Sequence, residues 1–135
     1  KACMEFNCYV VKMNELLKDR DMLEVDYGIG IARGIIYVAK TGKKGGDLTR
    51  QDLVWVGKPT YQAVELSDLG KNGRNLWITK AVYDLIQDQD KNSKYNILTA
   101  DDNVTSIWDE DTVRYDDGSS GQAYCTGYYF SEILD

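Results

Sequence analysis

Histidine is absent from this chain, which removes every Ser-His-Asp, Cys-His and His-metal scheme at once. Any chemistry must come from carboxylates, lysines and arginines, hydroxyls or a bound metal. The cysteines Cys3, Cys8 and Cys125 are odd in number and form no CxxC pair, so neither a disulfide framework nor a zinc site is indicated. The candidates fall in Gln51–Gly70, QDLVWVGKPTYQAVELSDLG, where Val54 and Trp55 precede Gly57 and Lys58, Tyr61, Gln62 and Glu65 follow it. Lys58 stands where a helix would begin, and there a cation and the helix dipole both favour phosphate. A tyrosine can stack or donate one hydrogen bond. Three other stretches invite a ligand and fail on spacing. The glycines of Tyr27–Lys40 (YGIGIARGIIYVAK) are not a GxGxxG loop, and TGKKGGDLT (41–49) lacks the Walker spacing and reads as a solvated hairpin loop. Asp101-Asp102-Asn103 is half a calcium loop without the glycine and glutamate that complete one.

Several elements must position these residues. Leu53–Val56 is an uninterrupted apolar run, expected as a strand covered on both faces with Trp55 in the core. Gly57 ends it, Pro59 suits the first turn of a helix, and Gly70 is expected to stop that helix after Leu69 in a left-handed conformation. Residues 2–19 predict a helix whose apolar stripe is Phe6, Tyr9, Val10, Met13, Leu16 and Leu17. Val25–Ala39 is β-rich, and its glycines mark bulges or close backbone approach. A turn at Lys71–Asn75 leads to a short strand at Leu76–Ile78. Thr79 is placed to cap a helix reaching Gln87 with Val82, Leu85 and Ile86 on its apolar face. Asp88–Lys94 reads as a loop and Asn96–Ala100 as extended. Ser106–Trp108, Thr112–Tyr115 and Tyr124–Ile133 are expected strands, with a turn at DDGSSG (116–121).

The chain of 135 residues suffices for one domain, without a linker or internal repeat. Its net charge of −6 argues against non-specific binding to nucleic acid or to an anionic membrane, since both need a basic surface. No stretch is long enough to span a bilayer, and the cysteine usage fits a reducing cytoplasm.

The segment from Tyr27 to Leu85 resembles the second half of a class III nucleotidyl cyclase catalytic domain. The matches are Gly28, Ile29, Gly30, Ile31 and Gly34, then Trp55, Gly57, Ala63 and Leu66. Asp52-Leu53-Val54-Trp55-Val56-Gly57 and Leu66-Ser67-Asp68-Leu69 are most similar to the bacterial Pycsar-type pyrimidine cyclases, and the likeness extends to Trp77-Ile78-Thr79, Val82-Tyr83 and Trp108. The resemblance implies an α+β, ferredoxin-like fold with helices packed on a central sheet. It implies cyclisation of UTP or CTP to a 3′,5′-cyclic nucleotide, as a signal in antiphage defence, in a head-to-tail homodimer. Two Mn²⁺ or Mg²⁺ ions would be held by aspartates that, on this alignment, precede Lys1, so a preceding segment is expected to complete the domain.

The chain departs from that pattern within the central helix. Aligned on Gly57, Tyr61 replaces the asparagine of the resemblance, Glu65 replaces its arginine or lysine, and Val54 takes the position that chooses the base. A glutamate there repels a polyphosphate. The departures imply either a divergent cyclase in which Tyr61 and Glu65 substitute, or an inactive nucleotide-sensing or dimerisation module.

Overall fold

The computed structural model describes residues 2–41, 52–86 and 106–129. The expected loops at 42–49 and 88–94, the extended stretch 96–100 and Asp101–Asn103 lie outside the described residues, as does Gln87. Among the described residues the elements are, in order, α1 (Ala2–Lys18), β1 (Ile29–Ile31), β2 (Tyr37–Thr41), β3 (Asp52–Val56), α2 (Lys58–Asp68), β4 (Leu76–Thr79), α3 (Lys80–Tyr83), β5 (Asp109–Arg114) and β6 (Ser120–Thr126). The fold is α+β, consistent with a ferredoxin-like arrangement.

Four strands form one sheet in the order β1-β4-β6-β5. β1 runs parallel to β4, while β6 is antiparallel to both β4 and β5. All four residues of β4 are buried, as expected for the inner strand of a sheet covered on both faces. Their alternation divides the core in two. Trp77 joins Leu66, Val113, Tyr115, Ala123 and Cys125 on the face under α2. Leu76 and Ile78 join Met4, Trp108 and Tyr124 on the opposite face, where Tyr83 stacks on Tyr124 at 3.7 Å and 6°.

The glycines of β1 exist for close packing. A Cβ on Gly30 would run into the Ala63 carbonyl, and one on Gly28 into the Ser67 carbonyl, so α2 lies directly on the β1 backbone. Gly70 serves the same contact. It approaches the Gly28 Cα and, contrary to expectation, is not left-handed; α2 ends in right-handed geometry at Leu69, whose N–H reaches the Leu66 carbonyl. Among the described residues the left-handed ones are Asp21 after α1, Asn72 and Gly73 in the Lys71–Arg74 turn, and Gly118 in the DDGSSG turn.

Other expectations need correction. The Leu53–Val56 run is a strand, but among the described residues β3 pairs only with β2, in a separate two-stranded ribbon, and every residue of both strands is exposed. Trp55, 53% exposed, is therefore not in the core of the described residues. In α1 the buried face is Met4, Asn7, Cys8 and Val10, whereas Phe6, Tyr9, Met13 and Leu16 of the expected stripe are exposed. Asn7 explains this rotation. Its side chain accepts the Tyr27 hydroxyl at 2.8 Å and donates to the Tyr128 carbonyl at 3.3 Å, so a polar residue turns inward as a tether.

α3 closes at Tyr83, because the N–H of Leu85 bonds the Val82 carbonyl in a tightened last turn. Thr79 holds the N-cap position without a side-chain cap bond, and Leu85 is exposed. Ser106–Trp108 is not a strand; the Ser106 hydroxyl bonds the Trp108 backbone on both sides and turns the chain. β6 runs Ser120–Thr126, so it begins earlier than the Tyr124–Ile133 strand expected, of which residues 130–133 lie outside the described residues.

Candidate functional site

Gly57 is where the ribbon becomes a helix. Its backbone passes so close to Ile35 and Ile36 that a Cβ would press on the Ile35 carbonyl. Pro59 follows inside the first turn of α2 and is buried. This junction opens a groove of about 660 Å³ between the end of β3 and the outward face of α2. Trp55, Val56 and Val64 give it apolar walls, while Tyr61, Glu65, Asp68 and Asp116 give it polar ones.

Tyr61 and Glu65 lie one helical turn apart and reach the same place. Both contact the turn between β5 and β6. The Tyr61 hydroxyl donates to Asp117 Oδ2. Asp117 Oδ1 accepts the Ser119 N–H at 2.8 Å and the Ser119 hydroxyl at 2.6 Å, so both oxygens of that carboxylate are engaged. Glu65 Oε2 accepts the Asp116 N–H at 3.0 Å. Beneath them the Tyr61 ring meets the buried Tyr115 ring edge to face, with centroids 6.3 Å apart at 85°.

The electrostatics follow from these contacts. The bonds from Ser119 and then Tyr61 draw the Asp117 carboxyl down from its ordinary 3.8 to about 2, with a smaller contribution from Lys58. The same bond to Asp117 holds the Tyr61 phenol above its ordinary value, so the hydroxyl stays a donor at neutral pH. Burial raises Tyr115, and the charges of Glu65 and Asp117 add to the effect.

The expected site residues divide. Trp55, Tyr61 and Glu65 line the groove together. Val54, Lys58 and Gln62 do not line it: Val54 alternates with Trp55 along β3, opposite Ala39 of β2, and Lys58 is exposed at the first residue of α2. The residues that sequence reasoning missed are Asp116, Asp117 and Ser119. DDGSSG was legible as a turn, but its carboxylates are brought to α2 only by the β5–β6 pairing. Among the described residues, no group of three or more His, Cys, Asp and Glu could hold a metal ion. Glu65 in the groove is already bonded to a backbone N–H, and Asp117 beside it to three donors. No helix of the described residues is long and apolar enough to cross a membrane.

The fold and groove thus define an α+β domain with an aromatic, acid-lined cleft at a strand-to-helix junction. No family model matches the chain, and no solved structure matches it. It is similar to a curated protein named Uridylate cyclase from Treponema porcinum, with 32% identity over 99 residues. The match covers 66% of this chain and 34% of that protein, so the chain spans about a third of the length of the relative it matches. The similarity supports a relationship to nucleotidyl cyclases.

Proposed function

We propose that the chain is part of a nucleotidyl cyclase acting on a pyrimidine nucleoside triphosphate, UTP or CTP. In that reaction the ribose 3′-oxygen bonds to the α-phosphorus, the bond to the β-phosphate breaks, the hydroxyl proton is lost and pyrophosphate leaves. The observation that carries the proposal is the convergence of Trp55, Tyr61 and Glu65 on one groove, in a chain similar to a protein named for uridylate cyclisation. The apolar and aromatic wall suits the nucleoside end of the ligand. The acidic side does not suit its polyphosphate end, which this reading assigns to Mn²⁺ or Mg²⁺ ions held by ligands outside the described residues. A head-to-tail homodimer, completion of the sheet by a preceding segment, a cytoplasmic location and an antiphage signalling role belong to the same proposal. The position of β1 at an edge of the sheet, with β4 as its paired neighbour among the described residues, supports completion by a further strand.

A second reading is a cyclase-like module that binds without turnover. The carboxylates of Glu65, Asp68 and Asp116 in the groove, with no lysine or arginine among the described residues of its lining, favour it. Incubating the intact protein with each of UTP, CTP, ATP and GTP plus Mn²⁺, and separating products by chromatography, tests both. A cyclic pyrimidine nucleotide supports the first reading. Saturable nucleotide binding with no cyclic product supports the second. Absence of both overturns the nucleotide assignment.

A further inference from the structure

Asp117 lies fifty-six positions from Tyr61 in sequence, yet it accepts that residue's hydroxyl. Its other oxygen is held twice by Ser119, through backbone N–H and side chain, and the left-handed Gly118 makes the tight turn that permits this. The carboxylate is thus fixed before it meets Tyr61. On its other side the Tyr61 ring rests edge-on against the buried Tyr115. A phenol on a helix surface ordinarily samples several rotamers, and here a hydrogen bond at the tip and a T-shaped ring contact restrict it.

We infer that Asp117 is a positioning residue, which holds the Tyr61 ring as a fixed wall of the groove so that a nucleobase can pack against it. The inference rests on the nucleotide reading above. Preorganising an aromatic wall removes an ordering cost that binding would otherwise carry. Asp117 has no need to touch the ligand; its effect passes through Tyr61. The alternative is that Asp117 serves only its own turn, through Ser119.

The experiment is a double-mutant cycle in the intact protein with Asp117→Ala, Tyr61→Phe and the double variant, titrated with UTP and with CTP in the presence of Mn²⁺. A ligand-free measurement accompanies it: the Tyr61 phenol titration, read as the ultraviolet difference between the parent and Tyr61→Phe, each with and without Asp117→Ala. Asp117→Ala is expected to weaken nucleotide binding about five-fold, the size of one net hydrogen bond. It should do so only where Tyr61 keeps its hydroxyl, and it should lower the phenol midpoint. Asp117→Asn, which keeps an acceptor, should recover most of the affinity. Equal losses in the Tyr61 and Tyr61→Phe backgrounds would overturn the inference in favour of a turn role. An unchanged phenol midpoint would overturn the contact itself. If the midpoint falls but the parent binds neither UTP nor CTP, the nucleotide reading fails while the Asp117–Tyr61 contact stands.

Discussion

Asp116 donates its backbone N–H to Glu65 across 51 positions of sequence, at 3.0 Å. That bond, with the one from Tyr61 to Asp117, ties the outward face of α2 to the β5–β6 turn. It also leaves a carboxylate on the groove where a triphosphate reading calls for positive charge. Glu65→Lys removes that charge and supplies a cation. UTP affinity is expected to rise at least about three-fold, because even screened unit charges a few ångströms apart exchange about 1 kcal/mol or more. The lost Asp116 bond is solvent-accessible and costs about 1 kcal/mol of stability or less. Calorimetric titration gives the affinity, and a urea melt gives the cost. Unchanged or weaker UTP binding would mean the phosphates lie elsewhere.

The Tyr61–Asp117 bond sets a pH window. Asp117 is depressed from 3.8 to about 2, so its contribution is present above 3.8 and is lost as pH falls through about 2. Tyr61 is raised above 10.0, so its contribution is present below 10.0 and is lost as pH rises through the higher folded value. The difference in melting temperature between the parent and Asp117→Ala should therefore be flat from about pH 4 to pH 10 and shrink on both sides. A difference that instead tracks pH through the neutral range would assign the effect to another group.

Much of this architecture was legible in the sequence. The Gly57–Pro59 junction, the helix after it, the DDGSSG turn and the close-packing role of the β1 glycines all follow from local rules of backbone geometry. What local rules missed depended on distant partners. The apolarity of Leu53–Val56 signalled burial, but among the described residues β3 pairs only with β2, and period alone does not say what covers a strand. The face of α1 was misjudged because Asn7, a polar residue, points inward to Tyr27 and Tyr128. In the groove, Tyr61 and Glu65 could be singled out by position, whereas long-range strand pairing brings Asp116 to the groove and Asp117 to Tyr61.

Leu66, on the inward face of α2, is wholly buried in one core cluster with Trp77, Val113 and Cys125. Leu66→Ala should cost about 2–5 kcal/mol, the range for a cavity in a packed core. A guanidinium denaturation curve measures it. A loss below about 1 kcal/mol would show that α2 is not anchored on the sheet as described.

Gly30→Ala tests the contact between β1 and α2. The added methyl meets the Ala63 carbonyl and the Ser67 N–H, both backbone, so no side chain can swing aside. Destabilisation of at least about 1–3 kcal/mol is expected, as for overpacking. By contrast Gly121→Ala, whose Cβ would meet only the edge of the Tyr115 ring at 3.7 Å, should cost less. Reversal of that order in paired urea melts would contradict the packing of α2 on β1.

Trp55 separates a structural role from a binding role. A core tryptophan truncated to alanine costs about 3–5 kcal/mol. Trp55 is half exposed on the ribbon and borders the groove, so Trp55→Ala should cost well under that, about 1 kcal/mol. Its effect should appear in binding: removing the apolar wall is expected to weaken UTP or CTP about ten-fold, comparable to loss of a stacking partner. Equilibrium unfolding and nucleotide titration of the same variant give both numbers. A large stability loss with unchanged binding would return Trp55 to a core that the described residues do not contain. A small stability loss with weakened binding would fix the groove as the ligand's site and Trp55 as its wall.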